Sequence, residues 1–349
     1  METPNRDVYP HQSLHLSYPA LGPVLENEQV QKAFARHEAE AVASKRLHER
    51  LGRASLACAA LSVMYVGYSA IVMGERGSLG RPSAAALAVA LLGVVGLGCQ
   101  IYNAIMRVKS KWLTHRFAAE RLRILNFKLF AFAAAAATPK DLAALVEDAA
   151  RKEISRIEQA VLSGEAALDQ FSPLEEVSDG PSVAAGADLK LVSEAEEVYR
   201  TLRINVQQAH AASCIARGEA RSHVPGAVGQ LALLCAALIC VGEMVVLAWN
   251  GVFPASSIVV APSVAATTNF AVWSLFVVSA GVSVHEHGSA RAANVDRYKE
   301  YKRAVERVSR RRKSVTGRQF VEFVWEMELV ASEELKLFCR DQRHGSYFI

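Results

Sequence analysis

Glu243 is the residue that most calls for a function. Residues 222–284 carry a single carboxylate, Glu243, and a single histidine, His223, in an otherwise apolar stretch. An intramembrane carboxylate is costly and tends to face a bundle interior, water or a hydrogen-bonding partner. Two roles fit it: a pore-lining or gating group, and a protonated helix glue, with Ala236 and Cys240 on the same face. Gly93, Gly96, Gln100 and Asn103 follow one another at spacings of three, four and three, a small and polar helix face. In lipid, small residues let helix backbones approach closely, so this face either packs within a hairpin or between subunits, or lines a pore after assembly. Trp112, Arg116 and Glu120 form a stripe on one helix, which by spacing alone reads as a tryptophan anchor beside an i,i+4 ion pair.

Other chemistry is missing from the pattern. His285-Glu286-His287 places its histidines two apart, which do not share a helix face, and the HExxH spacing is absent; no metal is expected. The six cysteines show no CxxC and no paired metal spacing, and Cys58, Cys99, Cys235 and Cys240 sit in apolar runs as small packing residues. Gly93-Val-Val-Gly-Leu-Gly lies inside an apolar run and is no phosphate loop. With no nucleophile–base constellation, Walker loop or dinucleotide fingerprint, neither catalytic residues nor a cofactor is expected, and the chain does not read as an enzyme.

The elements that must position these residues follow from the uneven distribution of charge. The 349 residues are 51% hydrophobic and 21% charged with a net charge of +4, too small to argue for nucleic acid. Residues 1–28, rich in Pro, His, Ser and Tyr without a period, read as a disordered arm. A charged helix then leads into an uncharged run at 54–74, a breaker-rich loop at 75–82, and a second uncharged run at 83–106. Each run meets the length of about 20 residues that a bilayer core demands. Charged helices continue to 163, and residues 164–188 read as a linker. The second half, 189–349, repeats the plan: a helix with the heptad-like stripe Leu191, Ala195, Val198, Leu202, Ala209, Ala212 and Ala216, runs at 225–250 and 266–284, and C-terminal helices. Phe320, Val324, Met327 and Ala331 form an apolar stripe on the last helix. The expected fold is an all-α membrane protein, four transmembrane helices arranged as two hairpins with long cytoplasmic helical extensions.

Lys and Arg set the orientation. Lys45, Arg46, Arg50 and Arg53 precede the first run, and Arg107, Lys109 and Lys111 follow the second. Arg217 and Arg221 precede the third, and Arg291, Arg297 and Lys299 follow the fourth. Arg76 and Arg81 are the only Lys or Arg in the first loop between runs, and the second loop carries no charge at all. Both termini are therefore expected in the cytoplasm. The basic run from Lys302 to Lys313 reads either as a contact to anionic headgroups or as a solvated face.

At these residues the chain resembles a known family. The hairpin followed by Trp112…Arg116…Ala119-Glu120…Leu122-Arg123 is similar to the SLATT families, two-transmembrane effector domains associated with SMODS and SLOG sensors. Tyr199…Arg203…Gln207 before the second hairpin, with Tyr298…Tyr301 after it, resembles another SLATT subtype. It departs at Ala209-His210, where the family often has an aromatic pair. The resemblance spans roughly residues 30–340 and implies a tandem SLATT protein: an oligomeric pore-forming or membrane-disrupting effector in a bacterial conflict system, triggered by a nucleotide-sensing partner in trans. The alternative is a non-conducting scaffold or receptor whose cytoplasmic helices bind partners.

Overall fold

The computed structural model describes residues 8, 12–68, 84–162, 181–183, 188–252, 262–289, 291–311 and 313–344, and among them every regular element is helical. In chain order these are α1 (Gln12–Ser17), a 3-10 turn (Pro19–Leu21), α2 (Gly22–Leu25), α3 (Glu28–Tyr68), α4 (Ala84–Ile105) and α5 (Val108–Lys128). A 3-10 segment (Leu129–Ala134), α6 (Pro139–Leu162), α7 (Leu189–Tyr199), a π-helical turn (Arg200–Asn205) and α8 (Val206–Val252) follow. The chain ends in α9 (Pro262–Ser289), α10 (Arg291–Ser309) and α11 (Gly317–His344). The expected loop at 75–82, most of the linker at 164–188 and the side chains of Glu243 and of His285-Glu286-His287 lie outside the described residues.

Two stretches are long and apolar enough to cross a bilayer: Pro19–Tyr68, which ends in the apolar part of α3, and Thr267–Val284 in α9. A third counts if α4 and α5 form one broken span, and Ala227–Gly242 in α8 is apolar but shorter. Four expected spans thus become two or three among the described residues. The outer ends of the expected runs, at 69–83 and 253–261, are not among those residues, which shortens what can be counted.

The chain divides into two compact units that do not follow the expected sequential halves. The first is built from Met1–Lys45, Lys109–Gly218 and Ala292–His344; the second from Arg46–Val108, Glu219–Arg291 and the C-terminal residues. The physical reason is composition. Charged helices with one apolar stripe bury that stripe against each other in water, while the apolar stretches form a separate unit.

In the first unit, Phe127, Phe130, Phe320 and Phe323 surround Tyr199, edge to face, with centroids 5.7–6.4 Å from its ring. Such aromatic pairs add about 0.5–1.5 kcal/mol each beyond area burial. The alanine-rich segment Leu129–Ala134 is fully buried at Ala131, Ala133 and Ala134, where small side chains let α7 and α11 come close. At Gly317 a Cβ would stand 3.1 Å from Ala134 Cβ, so glycine lets the start of α11 sit close to the alanine-rich segment. Local signals set the helix starts. Thr316 Oγ1 accepts from Gln319 N while Gln319 Oε1 accepts from Thr316 N, both at 3.3 Å, a reciprocal cap. Thr138 precedes Pro139 at the first position of α6, its Oγ1 accepting from Asp141 N. Residues 12–25, expected within a loose arm, form short helices that bury Leu21, Val24 and Leu25 in this core. A handful of apolar side chains suffices to tie down a segment otherwise rich in turn formers.

The second unit is inverted relative to a water-soluble protein. His48 Nδ1 lies 3.2 Å from Asn103 Oδ1, and Gln100 Nε2 donates to Ser55 Oγ at 2.9 Å, all between α3 and α4. Leu91, Val94, Leu97, Leu231, Leu234 and Leu238 are instead more than half exposed. Trp273 of α9 donates its indole N–H to the carbonyl of Val63 at 3.2 Å and lies directly over Gly67. Only a residue without a side chain leaves that carbonyl reachable.

Candidate functional site

The first unit encloses a polar cavity of about 60 Å³. Helix α5 contributes Arg116, Glu120, Arg123 and Ile124, and the π turn with α8 contributes Arg203, Gln207 and His210. Helix α10 contributes Tyr298 and Tyr301, and α11 contributes Ala331, Glu334, Leu335 and Phe338. Helix spacing brings these together: Arg116, Glu120 and Arg123 follow the i, i+4, i+7 stripe of α5. The π turn widens the helix so that Tyr199, Arg203 and Gln207 stay on its buried side. Single π turns inside helices are frequent at functional sites.

Buried ion pairs hold the walls. Arg203 donates from Nε to Glu328 Oε1 at 3.0 Å and from Nη2 to Glu328 Oε2 at 2.6 Å, and Tyr199 Oη donates to Glu328 Oε1 at 2.7 Å. The Arg203 guanidinium also lies 4.6 Å from the centre of the Phe127 ring. Bidentate pairing of this kind fixes geometry as well as charge. Arg116 Nη1 donates to Glu38 Oε2 at 2.9 Å and also contacts Glu120. Arg123 Nε reaches Glu120 Oε2 at 3.5 Å. Arg297 Nε donates to Glu334 Oε1 at 3.0 Å, and its Nη1 lies 3.6 Å from Asp341 Oδ2. Tyr301 Oη donates to Gln207 Oε1 at 3.1 Å.

These surroundings set the charge states. Burial alone would raise the Glu120 carboxyl, but Arg116, then Arg123 and Arg203, bring it down to about 2. Burial pushes Glu334 up against the pull of Arg297, and it raises the hydroxyls of Tyr298 and Tyr301. At the mouth, the His210 ring packs edge-on to Tyr298 at 5.9 Å, and its bond to Cys214 raises its pKa. Perturbed titrating groups of this kind cluster at functional sites.

The structure brings together residues from both motif strings. Arg116, Glu120 and Arg123 of the first meet Arg203, Gln207, Tyr298 and Tyr301 of the second at this cavity. Ala119 is fully buried behind them, and Tyr199 sits one turn away in the aromatic core. Trp112, expected as an interfacial anchor, is 7% exposed and packs edge-on against Phe338 with Lys45 over its ring. Gly93, Gly96, Gln100 and Asn103 lie elsewhere, in the second unit: Gly96 faces Cys58, Gly93 faces Ser62, and the two amides bond to Ser55 and His48. Glu243 is helical within α8. Glu328, Glu334 and Glu38 were not legible as site residues. The available signal was Glu328, a carboxylate one turn beyond Val324 on the apolar stripe of α11. Among the described residues no cluster of metal-ligating side chains occurs. No protein-family model, no curated protein and no solved structure matches the chain.

Proposed function

We propose that the chain is a multi-pass inner-membrane effector, four spans in two hairpins with both termini cytoplasmic, that assembles with copies of itself and permeabilises the bilayer when its water-facing helices receive a signal. The observation that carries the membrane part is the inversion of the second unit: hydrogen-bonding side chains lie between α3 and α4 while leucines and valines face outward. Exposed apolar surface of that kind is stable against lipid and costly against water. Helices α3 and α8 each hold residues of both units, which supports a route from signal to span. The likeness of the two motif strings to SLATT domains supports an effector in a bacterial conflict system with a nucleotide-sensing partner in trans.

A second reading, a non-conducting receptor, is favoured by one observation. Gly93, Gly96, Gln100 and Asn103 all turn toward α3, which satisfies them inside one hairpin. Recordings from purified protein in planar bilayers separate the two. The effector gives unitary conductance that changes in Glu243→Ala or with bulky residues at Gly93 and Gly96. Silent bilayers, with intact membrane potential in cells expressing triggered protein, sink the effector and leave the receptor.

A further inference from the structure

We infer that Cys214 is a site of reversible oxidation by hydrogen peroxide, with His210 and Arg217 as the groups that activate its sulfur. The inference stands on these side chains of α8 and not on the effector reading. His210, Cys214 and Arg217 stand at i, i+4 and i+7 on one stripe of the helix. His210 Nε2 lies 3.5 Å from Cys214 Sγ, and Arg217 Nη2 donates to the same sulfur at 3.5 Å. Tyr298 of α10 closes the group, its ring edge-on to His210. The other cysteines have different surroundings. Cys339 is fully buried beside Phe117, Leu335 and Phe338, and Cys58, Cys99, Cys235 and Cys240 belong to the apolar stretches of the second unit. Among the described residues, Cys214 is the cysteine with an imidazole and a guanidinium against its sulfur. It is half-buried, so a small reagent can reach it.

The thiolate is the reactive form of cysteine. Burial raises the Cys214 thiol, but the bond from His210 and its charge, then Arg217, bring it below its ordinary value. The bond to Cys214 raises His210 in turn, against burial. The pair therefore shares one proton as thiolate and imidazolium, the activated state of a cysteine beside a base. The groups that bear on that proton are Arg217 on α8, Tyr298 on α10, and Arg123 and Glu120 on α5. Peroxide suits this arrangement. An electron pair of the sulfur attacks one peroxide oxygen, an S–O bond forms and the O–O bond breaks. The departing hydroxide takes the proton held on His210 and leaves as water. Cys214 becomes a sulfenic acid, oxidised by two electrons, and the peroxide is reduced by two. Arg217, held against the sulfur, is placed to donate to the departing oxygen. A disulfide as oxidant would expel a thiolate, which needs no proton, and the His210 proton would go unused. Return to the thiol takes two equivalents of a small thiol: the first condenses with the sulfenic acid to a mixed disulfide and releases water, and the second displaces Cys214.

The test uses the full-length protein in detergent, with hydrogen peroxide as oxidant, dimedone to trap sulfenic acid and peptide mass spectrometry to place the adduct. The assignment expects an adduct at Cys214 that disappears in Cys214→Ser and after treatment with a small thiol before trapping. His210→Gln slows its formation by about tenfold or more. Arg217→Gln slows it too, and Arg217→Lys, which keeps the cation, restores most of the rate. Alkylation of Cys214 by iodoacetamide gives a pH profile with its midpoint below about 8.5, the usual thiol value, and His210→Gln moves that midpoint up. Helical content and unfolding temperature of the variants exclude a folding defect. The assignment is overturned by any of four results: no dimedone adduct at Cys214, an unchanged rate in His210→Gln or Arg217→Gln, a parent alkylation profile centred on the usual thiol value, or oxidised glutathione modifying Cys214 faster than peroxide does. None of these bears on conductance, so failure here leaves the effector reading to its own test.

Discussion

The pair Arg203–Glu328 offers the sharpest quantitative test of how the first unit is held together. Their side chains are 2% and 0% exposed, so neither charge can turn to water if the other is removed. Glu328 also accepts the Tyr199 hydroxyl at 2.7 Å, and Tyr199 is the hub of the aromatic core. Replacing one partner of a buried pair costs about 3–5 kcal/mol, because it strands the other charge; replacing both with apolar residues of similar volume is often close to neutral. Glu328→Leu should therefore cost about 3–5 kcal/mol. At about 2–4 °C per kcal/mol for a unit of this size, the unfolding midpoint should fall by roughly 6–20 °C. The double change Arg203→Met with Glu328→Leu should recover more than half of that loss. The assay is thermal unfolding of the detergent-solubilised chain, followed by circular dichroism and tryptophan fluorescence. A single variant within about 1 kcal/mol of the parent, or a double variant as unstable as the single, would refute the view that stranded charge sets the cost.

Arg107, between α4 and α5, takes φ 47°, a left-handed conformation that costs a side-chain-bearing residue about 1–2 kcal/mol; Arg107→Gly should raise the unfolding midpoint, and an unchanged or lower midpoint counts against strain there. At Gly317 the nearest atoms to an added Cβ are Ala134 Cβ at 3.1 Å and Val183 Cγ1 at 3.2 Å, so Gly317→Val should cost about 1–3 kcal/mol in denaturant melts; a neutral result would show that the start of α11 can move aside. His37 is buried, its Nδ1 3.0 Å from His115 Nδ1, and burial, then His115 and Arg36, lower its pKa to about 4. The unfolded chain therefore binds more protons between about pH 6.5 and 4. Stability should decline as pH falls through that window, by up to about 1.4 kcal/mol per unit, and His37→Gln should flatten the decline; an equal slope in the variant assigns it to other groups.

How much of this was legible in the sequence depended on the distance over which each signal acts. Apolar runs report on residues within a turn or two, so the apolar ends of α3 and α9 could be read directly. The stripe of α5 placed Arg116 beside Glu120, and the structure has them in contact. Periodicity says nothing about which stripe meets which. Glu38 and Arg116 are 78 positions apart, and Arg203 and Glu328 are 125 apart, so the ionic walls of the cavity emerged only from the fold. The same limit hid the burial of Trp112 by Phe338 and the docking of Leu21, Val24 and Leu25. The compact units draw on separate stretches of the chain, which periodicity does not report either. Helices α5, α7 and α11 share a core although α8, α9 and α10 stand between α7 and α11 in sequence.

That interleaving carries a consequence for biogenesis. The first unit takes its residues from three separate stretches, and the two insertions between them are the apolar ones. A ribosome adding about 5–20 residues per second delivers α11 roughly 15–60 s after the segment that ends at Lys45. Until then Tyr199 lacks two of its phenylalanine neighbours and Arg203 lacks its carboxylate. On the proposed membrane reading, nascent chains hand both apolar insertions to the bilayer before the first unit can close. A nonsense codon between Arg203 and Gly317 leaves Arg203 in the chain without its counterion Glu328.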